Sequence, residues 1–164
     1  MDAFTIHPLT SDDRAWVARF CEEHWGSDLM IMHGMQLYIS QQEGFVARDS
    51  AGEVVGLVTY RIEGQECEIT SIDSLREGMG IGSALIEAAK AAAQTAGCTR
   101  LFLITTNDNL DALRFYQRRG FVLSKLYRNA VEESRKLKPQ IPQIGSFGIP
   151  IRDEIELEID LAQP

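Results

Sequence analysis

Three glycines, Gly78, Gly80 and Gly82, alternate with other residues where a strand-like run gives way to a helical pattern. A helix leaves its first N–H groups without intrahelical acceptors, and its dipole makes that end electropositive. After a turn in which glycine permits close approach, those groups form a cradle for an anion such as a phosphate. A tight turn alone would use the same glycines. Just upstream, alternation puts residues 66, 68, 70, 72 and 74 on one strand face, so Glu66 and Glu68 point together while Asp73 faces the other way. Such carboxylates either solvate a strand face or serve as a base acting through ordered water. Cys21, Cys67, Cys98, His7, His24 and His33 have no paired metal-ligand spacing, and no cysteine shares a motif with a histidine. Neither a metal site nor a cysteine nucleophile is expected.

The elements that must position these groups belong to a chain of 164 residues, enough for one domain spanning 1–164 with its own core. A formal net charge of −8 argues against a nucleic-acid groove or an anionic membrane as partner. It mildly favours a cationic partner, although solubility alone accounts for the surplus carboxylates. An odd number of unpaired cysteines points to reduced thiols and a cytoplasmic setting. The first residues lack a charged segment followed by an apolar one, and no run approaches the ~20 apolar residues of a membrane span.

Phe4 to Pro8 reads as a strand. A helix capped at Thr10 or Ser11 follows and stops at Gly26. Asp28 to Gln42, rich in methionine, reads as a short helix or a loop. Phe45 to Arg48, Val54 to Arg61 and Gln65 to Ser74 form a three-strand meander with turns at Asp49 to Gly52 and at Glu63-Gly64. The alanine-rich stretch Ser83 to Ala96 is helical and ends at Gly97. Arg100 to Thr106 is a buried strand, Leu110 to Arg119 a helix stopped by Gly120, and Phe121 to Tyr127 a strand. Asn129 to Lys138 is a further helix, followed by a Pro- and Gly-rich cover. Glu154 to Leu161 alternates acidic with apolar residues, a strand expected to bury one face and expose the acidic one.

A second spaced set lies downstream of the glycines: Asn109, Ala112, Tyr116, Gly120 and Phe121. Together, the two motifs resemble the GNAT superfamily of acyl-CoA-dependent N-acyltransferases, and the order of elements matches along essentially the whole chain. The resemblance implies an α/β fold, a GNAT-like central mixed, mostly antiparallel twisted sheet of about seven strands flanked by about four helices. A P-loop is excluded because Ser83 and Ala84, with no lysine, follow Gly82. A Rossmann site is excluded by the antiparallel meander before the glycines.

By that resemblance, acetyl-CoA is the co-substrate. Its pyrophosphate would lie on Gly78, Met79, Gly80, Ile81, Gly82, Ser83 and Ala84, and its arm would run along Ile72 and Ser74, either of whose N–H groups could serve the oxyanion. Asn109 and Ala112 would hold the cofactor arm or the start of their helix. Tyr116 would protonate the departing thiolate, and Glu68, matching the Glu that opens the fourth strand in the family, or a water chain would take the proton of the amine. The family usually has Gln or Arg where Glu77 stands, and Arg76 beside it could repair the charge. The expected function is transfer of acetyl from acetyl-CoA to a primary amine, on a small molecule or a protein, by direct attack. The alternative is an acyl-CoA-binding module without turnover. Residues 129–152 are expected to roof the acceptor site together with Met30 to Met35. Edge strands could support a homodimer, by analogy with proteins the chain resembles.

Magnitudes rank the chemistry. Deprotonating an alkyl ammonium of pKa ~10.4 at pH 7 costs roughly 4–5 kcal/mol, whereas a thiol leaving group near ~8.5 needs about 2 kcal/mol. The base should matter more than the acid.

Overall fold

A computed structural model describes residues 3–162. The described residues form nine strands and four α-helices: β1 (Phe4–Pro8), α1 (Arg14–Trp25), β2 (Leu29–Met32), β3 (Met35–Tyr38), β4 (Glu43–Asp49), β5 (Val54–Glu63), β6 (Glu66–Ser74), α2 (Ile81–Thr95), β7 (Arg100–Thr106), α3 (Leu110–Gln117), β8 (Val122–Tyr127), α4 (Ala130–Leu137) and β9 (Glu154–Asp160). Seven of the strands make the main sheet, and β2 and β3 form a separate pair. The mixed α/β fold, mostly antiparallel, is the one expected. Two compact units divide the described residues, one holding 3–28, 38–101 and 160–162, the other 29–37 and 102–159.

In the first unit the strand order is β1-β4-β5-β6, each pair antiparallel. Two local devices set α1. A capping box at Thr10 and Asp13 starts the preceding 3-10 turn, and Gly26 at φ 79° ends the helix. Helix α2 lies on β5 through a glycine that permits close approach. A Cβ on Gly56 would stand 2.6 Å from Ile81 Cγ2 and 3.0 Å from Leu85 Cδ1, so any larger residue would push the helix away. Val55, Leu57, Val58, Ile81, Leu85, Ile86 and Ala89 are buried and make the core here.

In the second unit the order is β7-β9-β8. Within Asp28 to Gln42, read from sequence as a short helix or a loop, residues 29–38 instead form the β2–β3 hairpin. His33 at φ 53° and Gly34 at φ 74° supply the two left-handed residues of its turn. The exposed acidic face expected of β9 is likewise corrected. Glu154 and Glu156 are only 2% and 3% exposed: the hairpin and α4 reach Glu154, and β8 reaches Glu156. The His33 N–H and Ser134 Oγ reach Glu154 Oε1 at 3.3 and 3.4 Å, while Tyr127 OH and Ser124 Oγ donate to Glu156 at 3.0 and 2.9 Å.

The loop after α4 is pinned by polar side chains. Arg135, 9% exposed, donates to the carbonyls of Pro142 at 2.8 Å and Ile151 at 2.6 Å while pairing with Glu132. Asp108 accepts from the Ser146 N–H at 2.9 Å. Lys138 Nζ donates to the Leu29 carbonyl at 3.1 Å, tying this loop to the hairpin.

Candidate active site

The glycine turn has the form an anion cradle requires. Gly78 and Gly80 sit at φ 76° and 77°, a region where an L side chain is strained, and Gly80 is the left-handed N-cap of α2. A Cβ added at either position would meet nothing within 4 Å, so the side-chain side of the turn is open space. No side chain caps the helix start. The Ala84 N–H donates to the Gly80 carbonyl at 3.0 Å, the first bond of the helical ladder. Met79 and Ser83 are half-buried, while Ile81 and Gly82 are buried in the first turn. Arg76 turns away to Asp49, its Nη2 2.7 Å from Oδ2, and Glu77 is exposed. Asp49 therefore neutralises the charge that Arg76 would bring against Glu77.

Strand β6 departs from simple alternation. Ser71 pairs with Thr59 but Ile69 pairs with Tyr60, so Thr70 is an extra residue, a β-bulge. Directly opposed residues share a face, and Glu68, Ser71 and Asp73 oppose Arg61, Thr59 and Leu57 in turn. All three consequently lie on one face. Ile69, Ile72 and Ser74 oppose Tyr60, Val58 and Gly56 and share the face that carries α2. The expectation that Glu68 faces with Ile72 and Ser74, and away from Asp73, is thus overturned by one inserted residue. Thr59 Oγ1 binds both Thr70 Oγ1 at 2.8 Å and Ser71 Oγ at 2.5 Å, as the bulge requires.

Glu68 is buried, and Arg61 Nε reaches its Oε2 at 3.3 Å. Asp73, half-buried, accepts from Trp25 Nε1 at 3.3 Å through Oδ1, and its Oδ2 is buried without a hydrogen-bond partner. Burial pushes its carboxyl up to about 6, against the opposing effects of the Trp25 N–H and of His24.

In the second unit, Asn109 caps α3, its Oδ1 accepting from the Ala112 N–H at 3.3 Å and its Nδ2 donating to Thr105 Oγ1 at 3.2 Å. That bond fixes the helix carrying Tyr116, whose ring is buried edge-to-face against Phe115 and Phe121 with centroids 5.1 and 5.4 Å away. Gly120 at φ 92° turns the chain so that Phe121 closes the ring's other side.

All three cysteines are buried and unpaired with one another. Burial pushes Cys21 and Cys67 up to about 12 and raises Cys98, which makes each a poor nucleophile near neutrality. Among the described residues, no three His, Cys, Asp or Glu side chains are grouped to hold a metal ion, and no helix is long and apolar enough to cross a membrane.

The profile of the Acetyltransferase (GNAT) family matches residues 12–121, two thirds of the chain and both motifs. This protein belongs to the GNAT acetyltransferase family. The uncharacterized protein YxbD of Bacillus subtilis is 43% identical to this acetyltransferase over 156 residues, 95% of this chain and 98% of the relative. YdhI of the same organism is 45% identical over 136 residues, 83% and 85% of the two chains. In fold, the acetyltransferase is similar to a GNAT family acetyltransferase from Elizabethkingia anophelis solved with acetyl-CoA bound. The TM-score is 0.69 at 23% identity, covering 98% and 99% of the two chains.

Proposed function

We propose that this acetyltransferase moves the acetyl group of acetyl-CoA to a primary amine by direct attack in a ternary complex. The open, left-handed glycine turn at the start of α2 carries the proposal: its geometry suits a diphosphate, and no described residue lies within 4 Å of a Cβ built at Gly78 or Gly80. In this reading Gly78 to Ser83 hold the pyrophosphate, Ile72 and Ser74 accompany the arm, and Asn109 with Ala112 sets the helix that presents Tyr116. Tyr116 gives its proton to the departing thiolate. The base lies on the face of β6 that carries Glu68.

Calorimetry with acetyl-CoA, followed by thiol release with spermidine, kanamycin, amino-acid amides and a lysine peptide, tests this. We expect binding and turnover with at least one amine, and Tyr116→Phe should lower kcat roughly tenfold or more at unchanged acetyl-CoA affinity. Tight binding without turnover, insensitive to that substitution, would leave a CoA-binding module instead.

Direct attack also predicts that no labelled acetyl group stays on the protein after denaturation, because the cysteines are buried and held protonated. A label on Cys67 would contradict the direct route.

Residues 129–152 and the hairpin roof the acceptor in this account, which also makes them specificity elements. Arg135→Ala removes a buried clamp on three loop carbonyls, those of Ile141, Pro142 and Ile151. The acceptor KM should rise roughly tenfold or more, and the acetyl-CoA KM should stay within about twofold. Equal changes in both would remove the roof assignment.

A further inference from the structure

Glu68, the carboxylate first suggested for the base, is engaged by Arg61, whereas Asp73 on the same face of β6 keeps an oxygen free of protein partners. Buried polar atoms in native proteins are nearly always satisfied, so an orphan carboxylate oxygen calls for an explanation. Three features locate it. The Thr70 bulge moves Asp73 onto the Glu68 and Ser71 face, away from α2. Trp25, the last residue of α1, fixes its Oδ1 and thereby its orientation. Asp73 also stands at the end of β6, two residues after Ser71 and five before Gly78, next in sequence to the segment that would hold acetyl-CoA.

We infer that Asp73 is the general base of the transfer, its unpartnered Oδ2, closed to solvent until the acceptor binds, receiving the proton of the acceptor ammonium. This rests on the acetyl-transfer reading above. The proton leaves the substrate nitrogen for Oδ2. The nitrogen lone pair then forms the new N–C bond to the acetyl carbon, the C–S bond breaks, the thiolate takes the Tyr116 proton, and the second proton that the nitrogen sheds in becoming an amide restores Tyr116. Asp73 returns its proton to solvent, and the net products are the amide, CoA thiol and one proton. A carboxyl at about 6 rather than 3.8 is about a hundredfold more basic and still ionised at neutral pH. Trp25 lowers that value, so its N–H holds the carboxylate in the basic form and in place.

Other ionisable groups around Asp73 are His24 and Cys21 on α1, with Glu68 and Arg61 further along the same strand face. The His24 ring, stacked on Phe20 at 4.1 Å, is the ionisable neighbour that serves as the control.

The test is the pH profile of kcat/KM for the amine turned over fastest in the panel above, in wild type, Asp73→Asn, Glu68→Gln, Trp25→Phe and His24→Gln. Wild type should lose activity as pH falls through about 6. Asp73→Asn, which keeps the acceptor for Trp25, should cost roughly 10²–10³-fold and abolish that acid limb, with acetyl-CoA affinity within about twofold. Trp25→Phe should move the limb to higher pH, a shift that a purely structural Trp25 would not cause. The limb should persist in Glu68→Gln and His24→Gln. A limb retained in Asp73→Asn, or lost in either control, overturns the assignment. If Asp73→Asn does not fold, an unmoved limb in Trp25→Phe overturns it. Acetyl-CoA binding with no turnover of any amine would instead remove the parent reading, and this assignment with it.

Discussion

Gly80→Val should weaken acetyl-CoA binding roughly 30- to 100-fold while leaving the protein folded. Two effects combine. At φ 77° a β-branched residue pays the strain of a left-handed conformation, of order 1–2 kcal/mol, which the turn can escape only by losing its shape. Its side chain also enters the open space where a phosphate would approach. Because nothing in the protein lies within 4 Å of the new Cβ, the cost falls on the ligand and the turn rather than on core packing. Gly56→Val is the contrast, since its Cβ meets Ile81 and Leu85 and should destabilise the fold itself by about 1–3 kcal/mol. Calorimetry and thermal melts on both variants separate the two effects. Unchanged acetyl-CoA affinity in Gly80→Val would show that the turn does not hold the pyrophosphate.

Asp73→Asn should stabilise the protein above pH 6 and leave it nearly unchanged near pH 4. The folded carboxyl titrates at about 6, above its ordinary 3.8. A raised carboxyl favours the protonated form in the folded state. Its contribution to stability is therefore fully present below about 3.8 and is lost as pH rises through 6. The two-unit difference corresponds to at most about 3 kcal/mol at neutral pH. Asparagine is neutral throughout and escapes that loss. In thermal melts the variant's advantage should grow from near zero at pH 4 to about 5–10 °C at pH 8, since 1 kcal/mol shifts a chain of this size by about 2–4 °C. An advantage of the same size at both pH values would mean that the carboxyl titrates normally. Together with the expected loss of activity, the result would make Asp73 a residue kept at a cost to stability.

Much of the frame is readable in the sequence because its signals are local. Gly26, Gly97 and Gly120 end helices where their neighbours in sequence say they should, and the apolar run Arg100 to Thr106 is a strand over that same span. The β2–β3 hairpin was hidden because its turn uses His33, a residue rarely left-handed, in place of the usual Asn or Asp before Gly34. Thr70 and Ser71 both suit a strand, so nothing local announces that one of them is extra. That single residue decides which carboxylates share a face. Likewise, alternating Glu154 and Glu156 look solvated until elements distant in sequence reach them, the hairpin and α4 at Glu154 and β8 at Glu156. The glycine turn and the Asn109 cap were legible as types and spacings. The unpartnered oxygen of Asp73 was not, since it follows from the bulge and from Trp25 forty-eight residues away.

The most direct measurement is a two-substrate initial-velocity study with acetyl-CoA and the best amine of the panel, with products followed by mass spectrometry. The account predicts acetylated amine and CoA thiol formed one for one, with intersecting double-reciprocal lines as a ternary complex requires. Parallel lines, or CoA release without acetylated amine, would contradict it.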